Sequence, residues 1–347
     1  MRTGFIQHWL GKQAASGAGI AQFIAVLFFA LFGLALSMFL AVSFGAKDLS
    51  LSTVWTAIIH YNPELTAHQI IHELRLPRVL AAAVIGAAFA VAGALMQGVT
   101  RNPLADAGIL GVNAGATFMI VLCFAFFPNL PYSALMLLSF MGAVLSALLI
   151  FLLGSSPGGL TPLRLTVAGA VVAALLHSLS SGIAIYYELS QDLAFWYAGG
   201  VAGVKWHHLE LLAPIILIAI AASIALGRSV SIIAMGEEVA VNLGVKTKRI
   251  RVLGMAAALV LAGVSVSAVG SIGFVGLVIP HIARKLVGVD YRLIIPVSAL
   301  LGAVLLVLAD LAARMVNPPK ELAIGVMVAL VGVPFFLYLA HRERRNL

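Results

Sequence analysis

The stretch from Val79 to Gly98 is the strongest constraint on the fold: about twenty mostly apolar residues in a row, enough to cross a hydrocarbon core as one helix. Arg75 and Arg78 bracket its start, and Arg101-Asn102-Pro103 closes it with a helix-ending signal. A second apolar run follows from Gly108. Such a hairpin of runs buries nothing in water, so the chain has to be read as a membrane protein. Composition agrees. With 62% hydrophobic and 10% charged residues in 347, too little polar surface is left to cover a soluble globule. The mean hydropathy is +1.09.

Hydropathy predicts an all-α integral membrane fold of about ten transmembrane helices, at 20–44, 79–99, 108–128, 132–154, 165–186, 208–227, 252–270, 272–289, 293–315 and 322–340. The seventh and eighth are nearly fused, and Gly270-Ser271-Ile272-Gly273 is where we divide them. The run from Ile20 to Phe44 exceeds the apolar core of a signal peptide and is kept as a span. Ten spans put both termini on one side. Fifteen Lys and Arg residues fall on that side and six on the other, so the positive-inside rule makes the N- and C-termini cytoplasmic. The resulting organisation is a cytoplasmic segment 1–19, a transmembrane domain 20–342 with a cytoplasmic loop at 228–251, and a tail at 343–347. The formal net charge of +8 sits in short loops without interleaved aromatics, which favours topology and no nucleic acid. Gly86-x6-Gly93 and Gly263-x6-Gly270 suit close backbone approach between packed helices. The single cysteine, Cys123, lies in an apolar run and reads as a buried thiol.

The longest cytoplasmic interruption, Gly227 to Arg251, sets Ile232, Ile233, Val239, Val241, Leu243 and Val245 among polar residues. It can form short helices across the membrane face for a partner to grip, or a solvated loop that fixes orientation. Glu237 and Glu238 suit a helix N-terminus and Gly244 a helix end. No G-x-x-x-x-G-K-[ST] phosphate loop occurs in the chain, so energy enters from elsewhere. Asp310 is the one acidic residue deep in a predicted span, a thin basis for an ion-coupled secondary transporter, which is the competing class. His281 stands without a second ligand at metal spacing, and His207-His208 beside Trp206 reads as an interfacial anchor, so no metal site is expected. Paired catalytic groups of an intramembrane enzyme are not found.

Several separated motifs carry a resemblance: LRLPRVL with RNPLADAGILG, then MGEEVAVNLG, then GSIGFVGLVIPHIAR, then ADLAAR with ELAIGV. In that order, over roughly residues 20–342, they resemble the FecCD family, permease subunits of type II ABC importers for iron siderophores, haem and cobalamin. The resemblance implies a fold like the cobalamin-importer permease and a dimer with itself or a related permease. It also implies ABC ATPase subunits below and an extracytoplasmic substrate-binding protein above. No cofactor is expected on this chain; ATP and Mg belong to the ATPase. Met235, Gly236, Glu237, Glu238, Ala240, Leu243 and Gly244 resemble the family's ATPase-coupling helix. Arg75, Arg78 and Arg314 match arginines that dock the binding protein; alternatively, Arg75 and Arg78 anchor a helix end and Arg314 pairs with Asp310 one turn earlier. The loop 154–162 resembles the cytoplasmic gate, with Ser155, Ser156 and Thr161 as candidates. The fifth span and Tyr186-Tyr187 through Trp196-Tyr197 either line the pathway or form an interfacial aromatic belt. The implied function is passage of a ferric siderophore across the cytoplasmic membrane of a prokaryote, with haem or cobalamin as alternative cargo.

Overall fold

A computed structural model of the chain describes residues 17–45, 49–154, 162–318 and 320–344. Among these residues the structure is helical and without strands. In chain order the helices are α1 (Gly17–Ser43), α2 (Leu51–Ile59), α3 (Thr66–Thr100), α4 (Val112–Phe126), α5 (Tyr132–Gly154), α6 (Pro162–Tyr186) and α7 (Ser190–Ala198). They continue as α8 (Trp206–Ala234), α9 (Glu237–Asn242), α10 (Thr247–Val269), α11 (Val275–Val287), α12 (Tyr291–Met315) and α13 (Ile324–Arg344).

The ten predicted spans correspond to α1, α3, α4, α5, α6, α8, α10, α11, α12 and α13. Seven of them, α1, α3, α5, α6, α8, α10 and α12, are long and apolar enough to cross a membrane alone, while α4 and α13 carry shorter apolar stretches. The division between the seventh and eighth spans falls where the glycines placed it. Gly270 ends α10 at φ 75° and Phe274 begins α11 at φ 67°, so two left-handed residues bracket an irregular link. That link shortens α11 to 13 residues, a rise of about 20 Å, where the hydropathy pattern suggested a full crossing. Likewise α4 starts later than expected, because Ala107–Leu110 forms a 3₁₀ turn ended by Gly111 at φ 67°.

Three differences lie outside the apolar runs. Helix α8 continues to Ala234, two turns past its expected end, and takes Ile232 and Ile233 out of the cytoplasmic loop. Helix α3 begins at Thr66, with a π-turn over Ile70–Arg75 leading into the spanning part Leu76–Thr100. Helices α2 and α7 are nine-residue pieces of outer loops, too short to register in a hydropathy profile tuned to membrane spans.

Helix α3 is the centre of the bundle. It packs against α12, α10, α8 and α11, and its most apolar window is 89% buried. Small residues make this possible. A Cβ on Gly86 would collide with the carbonyl of Gly302 on α12, and one on Gly93 with the carbonyl of Gly276 on α11. Gly115 on α4 and Gly142 on α5 face each other in the same way. A Cβ on Gly263 would stand 3.1 Å from the Phe140 ring, whereas Gly270 serves the link after α10 rather than helix packing. Cys123 is buried as a free thiol.

Candidate functional site

On the cytoplasmic side, α9 is a single short helix defined at both ends by its own sequence. Gly236 enters it at φ 134° and Gly244 leaves it at φ 74°, conformations open to glycine and strained for other residues. The Val245 amide donates to the Ala240 carbonyl at 2.9 Å and the Gly244 amide to the Val241 carbonyl at 2.9 Å, the paired closure of a Schellman turn. Ala240 is fully buried beneath it. Met235, Val239, Val241 and Leu243 are exposed, at 51%, 39%, 57% and 62%. Two exposed apolar side chains on the helix and one flanking each end form a surface suited to a protein partner.

This helix is tethered to the membrane bundle through Glu237. Arg251, in the first turns of α10, donates from Nη2 to Glu237 Oε2 at 3.0 Å, and Arg101, the left-handed cap of α3, lies 3.9 Å away. Glu238 points into solvent. One carboxylate on α9 therefore touches two spanning helices. Beside it, the Asn102 side chain accepts from the Leu104 amide at 3.0 Å, which makes Asn102-Pro103 a turn. Burial raises the pKa of the neighbouring Asp106 carboxyl, against the lowering effect of the Ala107 and Gly108 amides. Ser155, Ser156 and Thr161 lie outside the described residues.

On the outer side, Arg75, Arg78, Asp310, Arg314 and Glu321 form one cluster. Asp310 on α12 is fully buried, and Arg78 of α3 grips it from Nε and Nη2 at 2.9 and 2.8 Å. Arg314 reaches the second oxygen at 3.1 Å, the one-turn pairing that the spacing allows. The other edge of the Arg78 guanidinium meets Glu321 at 3.0 and 2.9 Å, and that carboxylate is 37% exposed. Arg75 and Arg314 are 7% and 4% exposed. Their forks are turned inward: Arg75 donates to the Val42 and Ser43 carbonyls at 2.7 and 2.8 Å, and Arg314 to those of Ala41 and Phe44 at 2.9 and 3.2 Å. These are the last carbonyls of α1, which lack partners within their own helix and sit at its negative end. The structure thus brings all three predicted arginines together; Arg78 is the least enclosed, its side chain 14% exposed, with both edges of its guanidinium held by Asp310 and Glu321. Arg75 is turned to the end of α1, and Arg314 combines the one-turn pairing with Asp310 with bonds to the same helix end.

The remaining aromatic and histidine candidates separate. Tyr186 and Tyr187 are exposed at the outer end of α6, while Tyr197 is half-buried and its hydroxyl lies 2.8 Å from His177 Nδ1. Trp206 anchors the start of α8 by donating from Nε1 to the His72 carbonyl at 2.7 Å. His208 is buried with Nδ1 accepting from the Lys205 amide, and His281 meets the Phe335 ring edge-on at 5.8 Å. Sequence reading passed over Gln97, the sole amide in the apolar run of α3. Its Nε2 donates to the Gly276 and Leu277 carbonyls at 3.3 Å and its Oε1 accepts from Arg284, tying α3 to α11.

A multi-pass helical bundle with an anchored, apolar-faced helix at its cytoplasmic face has the form of a membrane transport subunit. The model of the FecCD transport family matches residues 15–342, and the chain belongs to that family. It is 51% identical over 325 residues to the iron(3+)-hydroxamate import system permease protein FhuB of Bacillus subtilis, covering 93% of this chain and 85% of that one. The iron-uptake system permease protein FeuB of the same organism is 45% identical over 313 residues, covering 90% and 94%. A solved structure of a metal-chelate type ABC transporter in an inward-facing conformation superposes with a TM-score of 0.81 at 28% identity, covering 92% of this chain and 99% of that one.

Proposed function

We propose that this chain is the permease subunit of an ATP-driven importer that passes a ferric siderophore into the cell. The observation that carries the reading is α9: a capped, apolar-faced helix whose Glu237 is bonded to α10 and adjacent to the end of α3. A separate ATPase gripping Met235, Val239 and Leu243 can pull on both spans through that carboxylate when it closes on ATP and Mg. The relatives named for iron-hydroxamate and iron uptake support a ferric chelate as cargo.

The outer cluster suits receipt of cargo from a substrate-binding protein. Arg78 is the docking candidate, since Asp310 holds one edge of its guanidinium and the other is shared with the partly exposed Glu321, which a partner's carboxylate can join or displace. Arg75 and Arg314 support it by fixing the end of α1. The same cluster weighs against ion coupling, because Asp310 is neutralised by two arginines instead of facing a wet cavity. A second permease copy, or a related chain, completes the pathway along the exposed face of α6. Uptake of labelled ferric siderophore, haem and cobalamin in cells lacking the chain, with and without its restoration, tests the cargo. Restored ferric-siderophore uptake supports the reading; restoration of haem or cobalamin uptake alone replaces the cargo and keeps the mechanism.

A further inference from the structure

The spanning helices differ in what they expose at membrane depth. On α1, α5 and α8 the outward residues are apolar, as with Phe28 and Phe32, Leu145 and Leu148, Ile215 and Ile218. Helix α6 is mostly exposed as well, yet it is the least apolar of the seven long spans. Among the described residues, His177 and Ser178 are the exposed polar side chains lying more than two turns from both ends of a spanning helix. An imidazole facing hydrocarbon is costly, so this face meets water or protein.

His177 is also held in a defined way. Its Nδ1 is 2.8 Å from the Tyr197 hydroxyl, and the two rings are 5.6 Å apart. Tyr197 lies near the end of α7 and packs on a small cluster of Val121, Ala184 and Leu193, so the hydroxyl that orients the imidazole is itself fixed from α4 and α6. The Tyr197 hydroxyl can donate to Nδ1, and in that arrangement the neutral imidazole carries its proton at Nε2, free to donate from an exposed residue. The pair therefore offers a positioned donor on an otherwise smooth face, where Gly182 one turn above Ser178 has open space around it.

We propose that His177 and Tyr197 form a hydrogen-bonding contact for the passing cargo, selecting chelates whose surface presents acceptor oxygens around ferric iron. The inference rests on the reading of α6 as a pathway wall and names the residues that touch cargo there. One donor is enough to orient a bulky chelate and weak enough to release it, as passage requires.

The test uses the assembled transporter with its ATPase and binding protein in proteoliposomes, and radio-iron as a ferric trihydroxamate or as ferric citrate. H177A and Y197F are each expected to lower uptake of either chelate about fivefold, the worth of one modest hydrogen bond to the iron-bound oxygens that both present. H177Q, which keeps an N–H donor, should retain more than half of the rate. Binding-protein affinity and membrane level should stay unchanged in all three. In a Cys123→Ser background, Ser178→Cys should react with a water-soluble thiol reagent. Unchanged uptake of both chelates in H177A, or an unreactive Ser178→Cys, would overturn the contact. Failure of the unaltered transporter to import any ferric chelate sinks the cargo reading instead, and the pair is then judged by the same variants on the cargo that is imported.

Discussion

Replacing Asp310 by asparagine keeps the side-chain shape and removes the charge that two arginines share. Arg78 holds the carboxylate at 2.8 Å and Arg314 at 3.1 Å, and the Arg314 side chain is 4% exposed. Breaking one partner out of a buried ion pair leaves the other charge uncompensated, at a cost of about 3–5 kcal/mol. Arg78 keeps Glu321 and Arg314 keeps the Ala41 and Phe44 carbonyls, so the lower end applies, about 3 kcal/mol. Asp310→Asn should lower the thermal midpoint of the purified protein in detergent by several degrees. Glu321→Gln makes the contrast. Its carboxylate is 37% exposed, and an exposed pair is worth under about 1 kcal/mol, so its midpoint should stay near that of the unaltered protein. Equal midpoints for Asp310→Asn and the unaltered protein would refute the buried pairing as the clamp between α3 and α12.

Glu237→Lys places like charges beside Arg251 and Arg101, so uptake should fall at least tenfold while the permease stays folded; normal ATPase association and uptake would remove the coupling role. Arg78→Lys, which keeps a positive charge beside Asp310 and loses the fork, should weaken binding-protein affinity at physiological salt at an unchanged membrane level, and an unchanged dissociation constant would withdraw Arg78 from docking. Gly86→Val drives a side chain into the Gly302 carbonyl and Leu306, so overpacking of about 3 kcal/mol should appear as loss of folded protein in the membrane. Asp290 caps α12 and bonds Ser231; burial acts to raise its pKa, but the Arg292 and Ser231 hydrogen bonds outweigh it and the net shift is downward. A carboxylate depressed in the fold contributes stability in full above its unfolded pKa and loses it as pH falls through the folded value. Asp290→Asn should therefore flatten the acid limb of a stability-against-pH curve, and an unaltered limb would contradict the assignment.

The helices were legible in the sequence because apolar length and terminal punctuation are local. Gly270 to Gly273 marked the reversal between α10 and α11, and Gly244 marked the end of α9. The Asp310–Arg314 pair followed from one-turn spacing. Burial of Arg75 and Arg314 was hidden, since it depends on the α1 carbonyls reached from 32 and 273 residues away. Glu321 was hidden for the same reason, being 243 residues from Arg78. The overrun of α8 escaped hydropathy because Gly227 and Arg228 look like a helix end, yet Gly227 is packed against the backbone of Arg292. His177 gave no local signal either. Its distinction is to be exposed where its neighbours on other helices are apolar, and that needs the assembled bundle.

The most direct test is import of a ferric trihydroxamate into proteoliposomes holding this chain with its ATPase and binding protein, with ATP supplied or withheld and with proton and sodium gradients imposed or collapsed. Import that requires ATP and the ATPase, ignores both gradients and is lost in Glu237→Lys is the predicted result. Import that follows an ion gradient without the ATPase would contradict it.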